Sequence, residues 1–399
     1  MEKIPYGISA WKNIDWIKLT KLNIERVRSL MKKKDVDVLL AQYSDNFQYV
    51  TGYMTPFHYN TGNLYTPHRQ GALVLAKEDQ PIMLAGAADI FDAKNFWWIE
   101  DVRPMPMRFE TWPKIIKKAL QDHGVKQGKI AVDPYSVYTL VDGLRQELGK
   151  SFTIVNGESI LETARSVKNS EEIKVIYRAA GLASAMMVAA KAATKEGVRE
   201  IDVAQAAERM LANLEPLAHP TYKTTVMSGD RAAYLDRIPS NKIIGWGELV
   251  NIDAGSYYMG YMSEFSRTVM VGKPSKEQKK LYKAAFEAEQ QAMKAIKPGV
   301  KTSEIDRIAR DIIKEAGYEK YQHPHITGHG QGLAPRDLPM IGDPGQTKEF
   351  LIEPNMVIAI EPGIFKPGVG GVREEDVVLV TETGHEVISK VEYEDRLLD

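Results

Sequence analysis

The sequence predicts an α+β protein of two domains, residues 1–160 with an α/β core and residues 161–399 built from a duplicated unit. Three observations carry this. Helix-type and strand-type patterns alternate to about residue 160. Beyond it, Lys195-Glu196-Gly197-Val198 followed by Ile201-Asp202 returns as Lys297-Pro298-Gly299-Val300 followed by Ile305-Asp306. An apolar strand ending in a carboxylate, one further residue and a glycine also occurs twice, as Asp253-Ala254-Gly255 and as Glu361-Pro362-Gly363.

In chain order, Leu19, Leu22, Ile24, Val27 and Met31 stand near helical spacing in a basic stretch, which predicts a surface helix packed on a core over 17–33 rather than a membrane-binding one. Val36–Leu40 reads as a strand, and Asp45–Tyr53 as a turn leading into an aromatic segment. Ala72–Leu75 and Pro81–Leu84 flank Glu78-Asp79 as a hairpin, and Lys129–Asp133 is a further strand of a mixed sheet. His58 and His68 bracket a polar loop, Tyr59–Pro67, read as a surface loop with the reach to serve a neighbouring active site. Asn169-Ser170-Glu171-Glu172 signals the start of a helix running to about Thr194. Each half of the second domain then reads helix, Gly-Val turn, helix, strands, with a carboxylate hairpin last.

Those hairpins carry the chemistry. Asp253 and Glu264 are eleven residues apart, and Glu361 and Glu375 fourteen, with a glycine loop between each pair. Such spacings set two acids roughly opposite each other across adjacent strands. Four buried carboxylates aimed at one spot repel each other and lose hydration, at several kcal/mol per unpaired ion, so a positive centre is required. One or two divalent ions are the simplest choice. Between the copies, His325-Ile326-Thr327-Gly328-His329-Gly330-Gln331-Gly332 offers an imidazole flanked by glycines that permit close backbone approach.

Composition narrows the classes. The chain has 399 residues, 44% apolar and 26% charged, with a net charge of -1, so no basic field for nucleic acid is present. There are no cysteines, which excludes disulfides, a thiol nucleophile and cysteine-bound zinc. Met1-Glu2-Lys3-Ile4-Pro5 starts no signal peptide and no apolar run reaches about 18 residues, so the cytoplasm is expected and a membrane partner is not. No P-loop or G-x-S-x-G elbow occurs, and the glycines at 328–332 lack a nucleotide-binding frame.

Asp253-x-Gly255, Gly260-Tyr261-x-Ser263-Glu264-x-x-Arg267-Thr268, Gly328-His329-Gly330-x-Gly332-Leu333, Glu361-Pro362-Gly363 and Gly371-Val372-Arg373-x-Glu375-Asp376 follow one another in order. Together they resemble the motifs of the pita-bread metallopeptidases, a superfamily that includes methionine aminopeptidase, Xaa-Pro aminopeptidase, prolidase and creatinase. The resemblance covers 155–399 and extends through Tyr49–Tyr53 into the first domain. It implies a C-terminal pita-bread domain behind an α/β creatinase-type N-terminal domain, and hydrolysis of the amide bond before proline.

By that resemblance Asp253, Glu264, His329, Glu361 and Glu375 would ligate one or two ions. Glu264 and Glu375 would bridge and Glu361 would relay a proton. The donor chemistry favours Mn²⁺ among Mn²⁺, Co²⁺, Fe²⁺ and Zn²⁺. Arg373 would support the ligands by pairing with Asp376 or a neighbouring acid, and His325 is a structural, substrate-lining or catalytic candidate. A homodimer is implied, with a small peptide or small carboxylate as substrate.

Three positions depart from the peptidase pattern. Glu264 stands where the family has aspartate, which either still bridges or leaves one metal position weak. Asp236 and Arg336 stand where peptidases carry two histidines that orient the scissile carbonyl. An Asp236–Arg336 ion pair would replace them and suit a carboxylate-bearing substrate. His219 is read as a packed or surface histidine, with a displaced imidazole as the other choice. These departures keep open a second function, on a small carboxylate or betaine-like compound, by creatinase-like C–N hydrolysis or dimethylsulfoniopropionate lyase-like chemistry with Asp337 as base. A binding-only protein is a third.

Overall fold

A computed structural model describes residues 14–53, 71–87, 89–106, 108–234 and 238–399. Its contacts divide the chain into two compact units, Met1–Arg165 with Asn169–Glu171, and Ser166–Lys168 with Glu172–Asp399. Asp236, the loop Tyr59–Pro67, His58 and His68 lie outside the described residues.

In the first unit, Asp15 caps the helix Trp16–Lys33 by accepting from Lys18 N at 2.9 Å. The helix buries Trp16, Leu19, Ile24, Val27 and Met31, so the amphipathic stripe faces the core as expected. Six strands, β1 (Val38–Ala41), β2 (Gly71–Ala76), β3 (Ile82–Ala85), β4 (Asp101–Pro104), β5 (Gly128–Val132) and β6 (Phe152–Asn156), form one sheet in the order β4-β3-β2-β1-β5-β6. It is mixed: β2 runs antiparallel to β1 and β3, and the other neighbours are parallel. The stretch read as a turn is instead the helix Ser44–Thr51. Its polar residues are helix-compatible because Asp133, just past β5, accepts from Tyr43 N and Asn46 Nδ2, both at 3.0 Å. Gly52, at φ 67, ends the helix in a left-handed cap.

The helix Ser170–Ala193, which belongs to the second unit from Glu172 on, starts where the Glu171 N–H donates to Asn169 Oδ1 at 2.8 Å. No uninterrupted apolar run in this helix reaches about 18 residues, yet by length and composition it is long and apolar enough to cross a membrane, with a mean hydropathy of 1.4 in its best window. Half of that window is buried in the protein. It packs as a core helix, with Ser256 Oγ donating to Ala179 O at 2.8 Å and the Tyr261 hydroxyl to Glu172 at 3.1 Å.

The duplication is visible in hydrogen bonds. Gly197 N donates to Ile244 O at 3.0 Å, and Gly299 N to Ile352 O at 2.9 Å. Both glycines have left-handed backbones, at φ 84 and 88. Helices Glu200–Leu214 and Thr302–Glu315 follow. The first half continues through β7 (Ala218–Pro220) and β8 (Thr225–Ser228) to the hairpin β9 (Leu249–Tyr258) and β10 (Tyr261–Met270), all antiparallel on β9. The second half supplies β11 (Gly328–Gly330), β12 (Asp337–Ile341), β13 (Val357–Ile360), β14 (Gly363–Lys366), β15 (Gly370–Arg373), β16 (Asp376–Val380) and β17 (His385–Val387). β14 pairs with β15, and the others form the sheet β12-β11-β13-β16-β17.

Behind the hairpins lies a buried charged cluster. Arg267 donates to Asp376 Oδ1 at 2.7 Å and to the carbonyls of Ser266, Glu375 and Val391. Glu289 and Glu374 are fully buried beside it. Burial, partly offset by Arg267, pushes the Glu374 carboxyl from 4.5 up to about 8. A folded-state pKa above the unfolded one adds stability that is complete below the unfolded value and is lost as pH rises toward the folded value. Metal-free protein will therefore lose stability between about pH 4.5 and 8. Glu374→Gln will make that decline shallower by up to about 5 kcal/mol, measured by denaturant melts across this range.

Candidate metal centre

The strands place the acids through register. On β9 and β10, Asp253 pairs with Ser266 and Glu264 with Gly255. The two acids are thus diagonal neighbours on one face rather than directly opposite. Gly255 permits this, since a Cβ there would lie 2.5 Å from Cβ of Glu264. On the second hairpin, the register that pairs Ile360 with Asp376 and Gly363 with Arg373 sets Glu361 directly against Glu375. His329 lies on β11 beside Ala359 of β13, and Gly328 lets these strands close, because its Cβ would fall 2.1 Å from Ala359 O.

All five side chains are buried and the structure brings them together. His329 Nε2 lies 3.5 Å from Glu264 Oε1 and 3.7 Å from Glu361 Oε1. Ligand atoms of Glu264, His329 and Glu375 fall within 4.8 Å of one another. His329 Nδ1 donates to Gly330 O at 3.1 Å, which leaves Nε2 facing the acids with its lone pair. Burial lowers the His329 pKa, against the pull of Glu361, so the ring stays neutral and can ligate.

The carboxylates divide by environment. Burial and Asp253 raise Glu264 to about 8, and burial with Glu361 and Asp253 raises Glu375 well above its ordinary range. Burial would raise Glu361 as well, but the Arg373 charge overcomes it and its pKa is lowered. Glu264 Oε2, Glu361 Oε1 and Glu375 Oε1 are buried without a hydrogen-bond partner among the described residues. Orphaned carboxylate oxygens around a neutral imidazole fit a divalent cation.

Arg373 is buried among the acids, but its partners differ from the one first named for it. It bonds to Asp253, reaches Glu361 Oε2 at 3.4 Å and lies 4.0 Å from Glu375, whereas Asp376 belongs to Arg267. Ser266 Oγ accepts from Arg373 Nε at 3.0 Å and donates to Glu375 Oε2 at 2.8 Å.

The remaining candidates lie around this centre. Arg336 is exposed, and its charge acts on both His329 and Glu361. Asp337 is buried at the start of β12 behind Gly332, where a Cβ would meet its carboxylate and approach Lys168. His325 is partly buried, with Nδ1 2.7 Å from Ile326 O. His219 pairs across to Tyr257 on β9 and its ring lies 5.1 Å from that ring at a tilt of 31°, as a packed histidine.

Two residues went unnoticed in the sequence. The Tyr222 hydroxyl donates to Asp253 Oδ1. His323 is fully buried and its pKa falls to about 3 through burial and the neighbouring Arg310. It accepts from Gly363 N at 3.2 Å and donates to Thr327 Oγ1 at 3.0 Å, and Thr327 donates onward to Asp306 at 2.5 Å. Glu361 N in turn donates to Thr327 O at 2.7 Å, so this relay holds the strand end that carries Glu361.

Residues 174–382 match the model of metallopeptidase family M24, and 23–167 that of the creatinase/prolidase N-terminal domain. The chain belongs to metallopeptidase family M24. It is therefore a metallohydrolase of the pita-bread fold, of a family that uses divalent metal ions. Among M24 relatives, the Xaa-Pro dipeptidase of Pyrococcus furiosus is 38% identical over 258 residues, 64% of this chain and 72% of that protein. That of Pyrococcus horikoshii is 31% identical over 379 residues, covering 93% of this chain and 97% of its own length. The solved Xaa-Pro dipeptidase from Bacillus anthracis superposes with a TM-score of 0.81 at 28% identity, covering 94% and 99% of the two chains.

Proposed function

We propose that the protein is an Xaa-Pro dipeptidase, hydrolysing the amide bond before proline in small peptides. The observation that carries this is the convergence of two carboxylate hairpins and His329 on one buried point, in a chain related over its length to proteins of that name. Asp253, Glu264, His329, Glu361 and Glu375 form the donor set. Bound divalent metal would supply Lewis acidity and lower the pKa of the attacking water. Mn²⁺ suits four carboxylates and one imidazole.

The chain's own groups divide the remaining work. Glu361 stays ionised, with Oε2 on Arg373 and Oε1 unpartnered, so Oε1 takes the proton from the attacking water and passes it to the departing proline nitrogen. Tyr222 and Arg373 fix Asp253. Arg336, exposed and acting on the centre from outside, binds the carboxylate of the dipeptide. It takes one place the peptidase pattern gives to histidine.

The test is proline release from Xaa-Pro dipeptides by chelator-stripped protein with added Mn²⁺, Co²⁺, Fe²⁺ or Zn²⁺, alongside elemental analysis. Metal-dependent release, strongest with Mn²⁺, is expected. Bound metal without proline release would overturn the dipeptidase assignment and move the substrate to a small carboxylate or betaine-like compound. Failure to bind metal under any supplementation would overturn both.

A further inference from the structure

Along one edge of β10, successive backbone groups are satisfied by partners of different kinds. Glu264 pairs with Gly255 of β9 in the register, yet its N–H and C=O bond elsewhere. It is therefore a non-hydrogen-bonded pair of the hairpin, with both groups turned away from β9. Two residues before it, Met262 N donates to Gly332 O at 2.8 Å, and two after it, Ser266 O accepts from Glu375 N at 3.2 Å. Between those backbone contacts a side chain takes the place of a strand. Gln331 Nε2 donates to Glu264 O at 2.9 Å, and Gln331 Oε1 accepts from Glu264 N at 3.3 Å. Only this orientation of the amide serves both groups, since the flipped one sets N–H against N–H. Gln331 is fully buried, and its own N donates to Val357 O at 2.9 Å, continuing the ladder of β11 on β13. Its backbone belongs to the second half of the duplication and its side chain to the first.

We infer that Gln331 is a positioning residue of the metal centre, its amide joining the backbone of Glu264 to the strand that carries His329 and so fixing the separation of those two ligands. This rests on the metal-dependent function proposed above and adds to it a residue outside the donor set. His329 stands two residues before Gln331, and its Nε2 lies 3.5 Å from Glu264 Oε1. Holding Glu264 by its backbone leaves the carboxylate available, and its Oε2 keeps no partner among the described residues. An amide is also the neutral choice, supplying a donor and an acceptor without adding charge beside four carboxylates. A hydrocarbon side chain of the same length would leave a buried N–H and a buried C=O of Glu264 unpaired, and the strand would shift to find partners for them.

Gln331→Met keeps the length and most of the volume and removes both bonds. Ser275→Ala is the control for stability alone: it removes the cap of the helix Lys276–Lys294, whose bonds run to Gln278. Chelator-stripped protein titrated with Co²⁺ and followed by visible absorption reads the ligand geometry without turnover. Gln331→Met should weaken Co²⁺ binding about 10- to 100-fold and change the shape of the visible bands. With Mn²⁺ at saturation, kcat for proline release should fall by about the same factor while KM stays within about threefold. Ser275→Ala should lower the denaturation midpoint, yet keep the Co²⁺ spectrum and hold the affinity within about twofold. Gln331→Asn retains the amide one methylene short of Glu264, so it should follow Gln331→Met. It leaves room for a water on the strand, and it decides the matter where the methionine variant fails to fold. An unchanged Co²⁺ spectrum with affinity within about threefold in either Gln331 variant would overturn the inference, as would equal losses in Ser275→Ala. Gln331 variants that bind Co²⁺ normally and release proline would sink this role and leave the dipeptidase assignment intact. Co²⁺ binding that depends on Gln331, in a protein that releases no proline, would do the reverse.

Discussion

Glu375→Gln will abolish proline release, by about 10³-fold or more, while making the metal-free protein more stable at pH 8. The two effects have opposite signs because they draw on the same charge. In the folded chain Glu375 is buried against Glu361 and Asp253, and both burial and those neighbours disfavour its ionised form. Among the described residues its Oε1 has no partner, and Ser266 Oγ and the more distant Arg373 support Oε2. A neutral amide of the same shape still accepts from Ser266 and removes that cost. The centre, however, loses an anionic donor from the Glu264, His329 and Glu375 cluster. Several kcal/mol of charge stabilisation are lost with it, at a factor of ten per about 1.36 kcal/mol. Denaturant melts of stripped protein and metal-supplemented proline-release assays measure the two halves. Added Mn²⁺ should stabilise the unaltered chain and leave the variant nearly unmoved, since stabilisation by a ligand follows its affinity for the folded state. Activity within tenfold of the unaltered protein would remove Glu375 from the donor set.

The duplication and the acids were legible because both are local and periodic. A Gly-Val turn before a helix, or a carboxylate two residues before a glycine at a strand end, is written in adjacent positions. The hairpin spacing predicts that Asp253 and Glu264 share a face, but whether they sit opposite or diagonal depends on a register two residues wide, which the Tyr258–Tyr261 turn decides. The helix Ser44–Thr51 was hidden because its stabilising acceptor, Asp133, lies almost ninety residues away in the sequence. Arg373 illustrates the same limit. Its neighbour Asp376 is the obvious partner by sequence, yet strand alternation turns the two to different faces, and the arginine finds Asp253 on the other hairpin. Tyr222 and His323 left no signal, since each acts only through tertiary contact, with Asp253 and with the Thr327–Asp306 relay. The role of Arg336 depends on the substrate it meets, which neither its neighbours in the sequence nor its exposed position encodes.

Arg267→Met will destabilise the second domain by about 3–5 kcal/mol, the range for removing one partner from a buried ionic group. Arg267 is 1% exposed, and three buried acids surround it. Burial works against its charge, but Asp376, Glu374 and Glu289 outweigh burial and raise its pKa further. Its guanidinium donates to Asp376 and to three backbone carbonyls, one of them Glu375 O at 2.8 Å, and packs 4.4 Å from the Tyr393 ring. Methionine fills most of the volume but leaves those carbonyls without donors and the acids without a counter-charge. Much of the cost is therefore electrostatic, and it can be separated from packing. Glu374→Gln removes one of the stranded charges, so the double substitution Arg267→Met with Glu374→Gln should be more stable than Arg267→Met alone by 1 to 3 kcal/mol, on the order of the coupling between contacting groups. Denaturant melts of the four proteins at pH 8 close this cycle. Lowering the pH to about 5 should narrow the gap between Arg267→Met and the unaltered chain, because Glu374 then carries a proton in both. A gap independent of pH and of Glu374 would show that the arginine acts through its packing and its carbonyl bonds. The same guanidinium holds the Glu375 backbone, so loss of Arg267 should also weaken metal binding in whatever fraction stays folded, joining the stability of the buried cluster to the geometry of the centre in front of it.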